Sequence, residues 1–350
     1  LGDCEMKLEI EVEHFSLDNT FAPSFVSSLY QKLEVGHWIK VGGHLGGQLE
    51  LTQSQPNVLT VQCKAGLTEA ALRRRVVLET GLWQGPYERM VGTLPKNMQP
   101  KIEALAKLYS GLRLPIVPLD FLYMLVATAL SQRVGYEPLV VGWCRRIWEK
   151  YDGRIDLIAQ LRPKELREIG TSYQVLQLPK ILRSFIGLSE NVERLPKQVL
   201  DWAGPPETPT EEFIQMLPPE LARLTLIRGC WGLGPKIVDS LLLSTSKATH
   251  LIPCDTHLYS VAKRLGLDKA EEARMPQKTL CSRFLCNEEN SKKYKIALCP
   301  QAENCLKVRL SHLGKLGGWV QTLTYLHGKF YCRTINPKCE ACPLEGFCER

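Results

Sequence analysis

The chain has 350 residues, a formal net charge of +7, a pI near 8.7 and a hydrophobic content of 44%. This length provides for two or three domains, and the composition is that of a globular protein rather than a disordered one. No run of eighteen apolar residues occurs, which argues against a transmembrane helix and predicts no membrane partner. The start lacks the layout of a signal peptide, so we expect an intracellular protein, which would lie in the cytoplasm or nucleoid if the source is a prokaryote.

The N-terminal segment alternates apolar and charged residues with the two-residue period of half-buried strands. Strands are predicted in the stretches LEIEVEHF, HWIKVGG, QLELTQ and LTVQCKAG, which Gly, Pro and Asn turn signals separate. The period changes after Thr68, where EAALRRRVVLETGL predicts a helix. These features predict a β-rich domain over residues 1–88.

Helices dominate the rest of the chain. Apolar spacing predicts them over 101–112 and 120–150, and the second run is so apolar before Ser131 that a central buried helix is expected. A polar connector over 244–253 precedes another helix that begins near Asp255. Further helices are predicted over 163–170, 174–188, 195–203, 209–216 and 218–228.

The sequence GLGPK at 232–236 lies between two helical segments and predicts a helix–hairpin–helix. Gly232 and Gly234 allow unusual turn angles and leave the backbone amides uncovered. Pro235 suits the first turn of the second helix, whose free N–H groups offer a site for a phosphate. An ordinary glycine-containing turn has the same composition, so the motif gains its meaning from the residues that follow it.

Lys236 ends this motif, and Asp255 follows nineteen residues later in the sequence PCDTH. An aspartate here is well suited to cap a helix, which is a purely structural role. The functional interpretation requires both side chains to face one cleft. A lysine amine can attack a sugar C1′ and form a Schiff base when a pocket lowers its pKa, and a carboxylate can accept protons and stabilise positive charge on the sugar.

Four cysteines near the C-terminus, Cys332, Cys339, Cys342 and Cys348, follow the spacing C-x6-C-x2-C-x5-C. Zinc sites more often use two separate C-x2-C pairs, and the uneven arms here suit a four-iron, four-sulfur ([4Fe-4S]) cluster. Two disulfides or four unrelated thiols are the structural alternatives. The stretch 306–338 contains six Lys or Arg and no acidic residue, which predicts an anionic partner.

A second group of cysteines, Cys281, Cys286, Cys299 and Cys305, lies in a segment over 271–305. A second metal site is one interpretation of this group. Because its first pair lacks a tight C-x2-C spacing, we favour a surface insertion with free thiols or one or two disulfides.

Taken together, these motifs resemble the helix–hairpin–helix DNA glycosylase superfamily. GLGPK with PCDTH is similar to its hairpin lysine and catalytic aspartate, and YLHGKFYCRTINPKCEACPLEGFCER resembles the cluster loop of endonuclease III. The N-terminal strands and SGLRLPIVPLDFLYMLVATALSQR resemble the 8-oxoguanine and 3-methyladenine glycosylases. The resemblance implies an α+β, mainly α fold: an antiparallel β-rich domain (1–88), a helical helix–hairpin–helix core (89–305) and a C-terminal segment with the iron–sulfur loop (306–350).

The resemblance assigns a Schiff-base lysine to Lys236, the catalytic carboxylate to Asp255 and backbone phosphate contacts to Gly232 and Gly234. It also implies four ligands for a [4Fe-4S] cluster, which are Cys332, Cys339, Cys342 and Cys348.

Other positions correspond to DNA-contacting residues of the superfamily. Gln132 matches a glutamine that fills the hole left by a flipped base, and Arg133 matches the wedge of the 3-methyladenine branch, so either one is the intercalating residue. His257 is expected near the sugar or phosphate. Ser240 stands where the 8-oxoguanine branch has a cysteine beside the base pocket, which is a departure from that branch. Trp231 is the aromatic residue expected near the DNA or the pocket.

These assignments predict a monomeric base-excision enzyme for double-stranded DNA with a damaged or mismatched base. It flips the nucleotide, cuts the glycosidic bond and nicks the strand by β-elimination, while Arg333 and Lys338 in the cluster loop bind phosphates. Two alternatives are a monofunctional glycosylase and a non-catalytic DNA-binding protein in which Lys236 contacts only phosphate. An electron-transfer module that uses the cluster alone is a more distant alternative. The residue types do not identify the damaged base.

Overall fold

The structure is a computed structural model that describes residues 5–268, 273–333 and 335–349. Residues 1–4 of the predicted β-rich domain and residues 271–272 of the predicted cysteine-containing segment lie outside the described ranges. The strands β1 to β5, in chain order, are Met6–Glu11, Tyr30–Glu34, His37–Lys40, Leu49–Gln55 and Val58–Cys63. The helices α1 to α17, in chain order, are Leu17–Phe21, Glu69–Glu79, Gln99–Leu108, Phe121–Leu130, Val141–Tyr151, Ile155–Ile158, Pro163–Ile169, Tyr173–Ile186, Lys197–Ala203, Thr210–Met216, Pro219–Gly229, Pro235–Thr245, Thr256–Arg264, Lys278–Cys281, Glu288–Tyr294, Leu306–Arg309 and Gly317–Phe330.

The strands form one antiparallel sheet in the order β1-β5-β4-β3-β2. The four strands predicted from alternation are present, and in β5 every second residue is buried. The edge strand β2 was not expected from the sequence. In β2 only Tyr30 is buried and the next four residues are exposed, so the strand lacks the alternation that marks a half-buried strand.

The predicted helices are present, and the apolar run over 120–150 divides into α4 and α5. Helix α4 ends at Leu130, where the Ser131 hydroxyl donates to the Thr128 carbonyl at 2.8 Å. Most of α4 is buried, as expected for a central helix. The architecture confirms the α+β, mainly α fold. None of the helices in the described residues combines the length and the apolar composition needed to cross a membrane.

Two hydrophobic clusters make up the interior. The first joins the inner face of the sheet to helices α4, α5, α8, α11 and α12. The second joins α3 to α13 and α17, and it includes Leu344 near the C-terminus. Helix α3 therefore packs with elements more than 150 residues later in the chain. The clusters do not coincide with the domain boundaries predicted at 88/89 and 305/306, because the second cluster spans both.

A buried ion-pair network connects the sheet to the helices. Lys40 Nζ, at the end of β3, lies 2.8 Å from Glu79 Oε2 of α2 and 2.8 Å from Asp120 Oδ2, which precedes α4. The Tyr30 hydroxyl of β2 also donates to Glu79. All three charged side chains are almost fully buried. Removing one partner of such a group is strongly destabilising, because it leaves an uncompensated buried charge.

Candidate active site

A cavity of about 780 Å³ opens between the two hydrophobic clusters. Its volume is in the range, about 300–1,000 Å³, that is usual for small-molecule sites. The residues that line it come from the end of α4, the start of α12, the start of α13, helix α17 and the segment over 20–25. Those used below are Phe25, Ser131, Gln132, Arg133, Lys236, Ser240, Asp255, His257, Met275, Gln321 and Tyr325.

The hairpin between α11 and α12 has the predicted helix–hairpin–helix form. Gly232 has a φ of +76°, in the left-handed region that favours glycine. Gly234 is the N-cap of α12 with extended backbone angles (φ −101°, ψ 172°), and Pro235 is the first residue of the helix. A Cβ atom placed on Gly234 would meet no atom within 4 Å, so the space beside these first amides of α12 is open. The arrangement suits a phosphate, because the amides and the helix dipole both favour an anion there.

Lys236 extends from the first turn of α12 into the cavity. Its ammonium group donates to the Ser131 hydroxyl at 3.4 Å and lies 5.5 Å from the centre of the Phe25 ring. Burial lowers the pKa of Lys236 below its ordinary value, and the charge of Asp255 opposes this effect. A lower pKa increases the fraction of neutral amine, which is the nucleophilic form.

Asp255 is the N-cap of α13, so its carboxylate is fixed at the wall of the cavity. Its Oδ1 accepts the Leu258 backbone N–H at 2.7 Å, and its Oδ2 accepts Gln321 Nε2 at 3.3 Å. The capping role considered for this residue is therefore real, and it leaves Oδ2 on the side of the cavity. Burial raises the pKa of Asp255 despite the nearby Lys236 charge and the backbone hydrogen bond from Leu258.

Of the other predicted residues, Gln132, Arg133, Ser240 and His257 line the same cavity. Ser240 is buried one turn after Lys236. The His257 ring meets the Tyr325 ring edge-on, with centroids 5.3 Å apart. Arg133 is exposed and has a φ of +54°, so it lies at a sharp turn after α4. All four of these predicted site residues therefore contribute to the wall of the cavity.

Trp231 lies outside this cavity. It lines an adjoining groove of about 640 Å³ along the outside of the hairpin, together with Gly232 and Gly234. Its ring is 38% exposed, and the ammonium of Lys180 lies 3.9 Å from the ring centroid. This position suits a contact with DNA beside the hairpin rather than the base pocket that the sequence suggested.

Two residues of the site were not expected from the sequence. Gln321 donates to the Asp255 carboxylate, and Tyr325 lies one helical turn further along the same face of α17. Burial and the Asp255 charge raise the pKa of Tyr325 to about 12, so the phenol stays neutral. The one sequence signal for Gln321 was a polar side chain in a largely apolar helix. That signal does not identify its partner, Asp255, which lies 66 residues away in sequence.

The thiol of Cys342 interacts electrostatically with the other three C-terminal cysteines, which are Cys332, Cys339 and Cys348. All twelve cysteines in the described residues are free, so the disulfide alternative does not apply to them here. Among the described residues, no three His, Cys, Asp or Glu side chains are gathered as one metal ion requires. In an iron–sulfur cluster each thiolate binds its own iron, so the sulfurs stand further apart than the ligands of a single ion.

Two side-chain nitrogens lie close to these sulfurs. Arg264 Nη1, from the end of α13, lies 3.2 Å from Cys332 Sγ, and His327 Nε2, from α17, lies 3.5 Å from Cys342 Sγ. Burial lowers the pKa of His327 to about 4. A set of four thiols with the Arg264 N–H directed at one of the sulfurs fits an iron–sulfur cluster, whose properties depend on such hydrogen bonds.

Arg333 and Lys338 are exposed and do not line the cavity. The Arg333 side chain donates to the Lys329 carbonyl at 3.1 Å, and its own carbonyl accepts Arg264 Nη1 at 3.0 Å. The Lys338 backbone N–H donates to the Tyr331 carbonyl at 2.9 Å, which leaves its ammonium on the surface. Both cations therefore lie on the cysteine loop and outside the cavity that contains Lys236 and Asp255.

No protein-family model matches the chain, and neither does any curated protein. Solved structures do match. One is the Clostridium acetobutylicum 8-oxoguanine glycosylase/lyase in complex with double-stranded DNA containing cytosine opposite 8-oxoguanine. It has a TM-score of 0.61 and 16% identity over 94% of this chain and 99% of that chain.

Two further structures match over most of their length. MBOgg1 in complex with a low-affinity DNA ligand has a TM-score of 0.61 and 14% identity, over 92% of this chain and 95% of that one. The 3-methyladenine DNA glycosylase from Archaeoglobus fulgidus has a TM-score of 0.56 and 13% identity, over 92% of this chain and 99% of that one. The chain therefore has the fold of the helix–hairpin–helix DNA glycosylases.

Proposed function

We propose that this protein is a base-excision DNA glycosylase with an associated abasic-site lyase activity on damaged double-stranded DNA. The observation that carries the proposal is the presence of Lys236 and Asp255 in one cavity, beside a hairpin whose helix begins with accessible amides. The similarity to solved glycosylase/lyases and to a 3-methyladenine glycosylase supports the same class of reaction.

Lys236 is the proposed nucleophile. Its neutral amine attacks C1′ of a flipped nucleotide, and the glycosidic bond breaks as the base leaves with the bonding electron pair and takes up a proton. Loss of the remaining amine proton and opening of the sugar ring give the Schiff base. β-Elimination then breaks the bond to the 3′ phosphate. The buried position of Lys236 favours the first step because it lowers the pKa of the amine.

Asp255 is the proposed carboxylate that assists base removal. Its Oδ1 is occupied by the cap of α13, and its Oδ2 faces Gln321 at the cavity wall. A negative charge at this point stabilises positive charge on the sugar as the base departs, and the carboxylate can take up the proton that Lys236 loses. The double anchoring keeps the group in position during the reaction.

DNA binding is assigned to three surfaces. The amides after Gly232 and Gly234 would bind a backbone phosphate, and Gln132 or Arg133 at the cavity wall would occupy the space left by the flipped base. Arg333 and Lys338 would bind phosphates further along the duplex. The proposed partner is a duplex with a damaged base, bound by one copy of the chain inside the cell.

We also propose that Cys332, Cys339, Cys342 and Cys348 hold a [4Fe-4S] cluster. When bound, such a cluster supplies a rigid cross-link between the arms of the loop, and it offers a redox-active centre. Arg264 and His327 would direct N–H groups at the ligand sulfurs. The loop's own contribution is to fix Arg333 and Lys338 on the DNA-facing side.

The decisive experiment is borohydride trapping on a duplex with an abasic site, since only a Schiff base is reduced to a stable cross-link. Wild-type protein should be trapped, and Lys236→Gln should give no cross-link while it still binds the duplex. Lys180→Gln is a matched control, because it removes a lysine beside the hairpin that does not line the cavity. It should be trapped at saturating protein.

Three outcomes would contradict this assignment. Full trapping of Lys236→Gln would mean that another amine is the nucleophile. If wild-type protein binds DNA and releases a damaged base without any trapping, the protein is a monofunctional glycosylase. If it binds without releasing a base from oxidised, alkylated or uracil-containing substrates and without cutting the strand at an abasic site, it is a DNA-binding protein only.

A further inference from the structure

The inserted segment that follows α13 folds back on itself and brings its cysteines together. Short parallel bridges join Arg274 to Cys305 and Leu285 to Leu298. The Cys299 backbone N–H also donates to the Leu285 carbonyl at 2.9 Å, which places Cys299 beside the neighbour of Cys286. The four cysteines, spread over 25 positions of sequence, are therefore confined to one small region.

A buried arginine of the core points at two of these sulfurs. Arg223 of α11 donates through Nη2 to Cys281 Sγ at 3.5 Å and through Nη1 towards Cys286 Sγ at 4.0 Å. Its other edge binds Asp239 of α12, with Nε 2.7 Å from Oδ1, and Lys307 Nζ lies 3.2 Å from the same oxygen. Nη2 also lies 3.4 Å from Asp239 Oδ2, so the guanidinium is shared between this carboxylate and the two sulfur atoms.

The chemistry of these acceptors is informative. A neutral thiol is a weak hydrogen-bond acceptor, so it adds little to the ion pair that this buried guanidinium forms with Asp239. A metal-bound thiolate carries negative charge and accepts N–H bonds well, and such outer donors are a regular part of metal–thiolate sites. The Arg223 contacts are therefore those expected around bound thiolates.

The C-terminal cysteines show the same two features. There, Arg264 of α13 donates to Cys332 Sγ at 3.2 Å, so each group has an arginine from a core helix directed at its first cysteine. Both groups also end in the sequence C-P-x4-C, at Cys299–Cys305 and at Cys342–Cys348. The two groups are thus built alike although they lie on different parts of the fold.

We propose that Cys281, Cys286, Cys299 and Cys305 bind a second metal centre through four thiolates. Each thiol releases its proton as it binds. Four thiolates can hold an iron–sulfur cluster or a single zinc ion, and the metal count described below distinguishes the two. The centre would lie beside a cavity of about 260 Å³ that Arg223, Cys281, Cys286 and Lys307 line.

The proposed centre also has a consequence for the active site. The start of the same segment, at Met275, Pro276 and Lys278, lines the groove beside the hairpin, and Met275 lines the catalytic cavity as well. Lys278 Nζ donates to the Cys230 carbonyl at 2.8 Å just before the hairpin. A metal bound to Cys281, three residues after Lys278, would fix this wall of the DNA-binding groove.

The test is a metal count on protein produced and purified without oxygen. Iron, acid-labile sulfide and zinc per chain are compared for wild type, for Cys339→Ser with Cys342→Ser, and for Cys286→Ser with Cys299→Ser. The C-terminal double variant should keep about two or four irons according to cluster type, or about one zinc. Cys286→Ser with Cys299→Ser should lose the metal of the second centre and keep the metal of the C-terminal loop. Cys144→Ser, at a core thiol outside both groups, should lose no metal.

A second measurement on wild-type protein guards against variants that fail to fold. Cys281, Cys286, Cys299 and Cys305 should resist alkylation in the native protein and react after treatment with a chelator, as peptide mass spectrometry would show. An insertion variant with the wild-type metal content would overturn the proposal. So would rapid alkylation of these thiols before chelation, or their recovery as disulfides. These readouts do not depend on DNA glycosylase activity, so they can fail separately from the proposed function.

Discussion

At the scale of single residues, the ionisation of Lys236 is set by two opposing effects. Burial removes the ammonium group from water and lowers its pKa, whereas the Asp255 carboxylate favours the charged form and raises it. Burial has the larger effect, so the pKa is lower than the value of about 10.4 that is usual for lysine. The same burial raises the pKa of Asp255. The lowered pKa increases the fraction of Lys236 that is a neutral amine, and the raised pKa increases the fraction of Asp255 that is a protonated carboxyl group.

These shifts predict the pH dependence of Schiff-base formation with a preformed abasic site. For wild type, the trapping rate should rise with pH through the lowered pKa of Lys236 and level off before the ordinary lysine value, because only the neutral amine attacks. In Asp255→Asn the midpoint should move to lower pH, since the charge that raises the lysine pKa is gone. This variant should also remove damaged bases about a hundred- to ten-thousand-fold more slowly.

Asp156→Asn is the control for the pH experiment. It neutralises an exposed carboxylate that pairs with Arg154 and does not line the cavity, so the midpoint should not move. A wild-type midpoint at the ordinary lysine value would contradict the effect of burial. A shift to higher pH in Asp255→Asn would contradict the proposed interaction between the two side chains.

At the scale of elements, the hairpin contains two glycines with different requirements. Gly232 needs a left-handed backbone, and a Cβ there would lie 3.0 Å from Ile181 Cγ1. Gly232→Ala should therefore lower the free energy of unfolding by about 1–2 kcal/mol. Gly234 has an ordinary extended backbone and open space around it, so Gly234→Ala should change stability by less than about 0.5 kcal/mol.

The same pair of variants tests the phosphate site. The added methyl group of Gly234→Ala would occupy the open space beside the first amides of α12 and should weaken DNA binding. Urea unfolding and DNA titration of both variants give the comparison. Equal stability of the two variants would contradict the left-handed requirement at Gly232, and full DNA affinity of Gly234→Ala would show that the hairpin does not bind phosphate in this way.

The sequence allowed prediction of the elements whose signals are local. The hairpin, the Asp255 cap and four of the strands depend on adjacent residues or on a short period, and the structure has all of them. Strand β2 was missed because its side chains are exposed. Gln321 and Tyr325 were missed because a residue on α17 becomes part of the site only when α17 packs on α13. The same limit applies to the Lys40 network, whose partners lie 39 and 80 residues away.

At the scale of the whole molecule, two helices connect the cavity to the cysteine loop. Helix α13 has Asp255 as its cap and ends at Arg264, which donates to Cys332 Sγ and to the Arg333 carbonyl. Helix α17 contributes Gln321 to the cavity, and its His327 lies 3.5 Å from Cys342 Sγ. The basic loop is thus fixed relative to the Asp255 carboxylate, and phosphates bound by the loop would place the duplex relative to the cavity.

This separation predicts that binding and turnover respond to different variants. Each phosphate contact releases about one counterion, so the logarithm of affinity falls against that of salt with a slope of about −0.9 per contact. Arg333→Ala with Lys338→Ala should flatten the slope by nearly two units, and it should weaken damaged and undamaged duplexes alike. Gln132→Ala should leave the slope unchanged and slow base removal, because this residue lies at the wall of the cavity. Titrations from low to moderate salt and single-turnover excision would measure both effects. The assignment of the two surfaces is wrong if the basic pair alters lesion discrimination while Gln132→Ala alters only the salt slope.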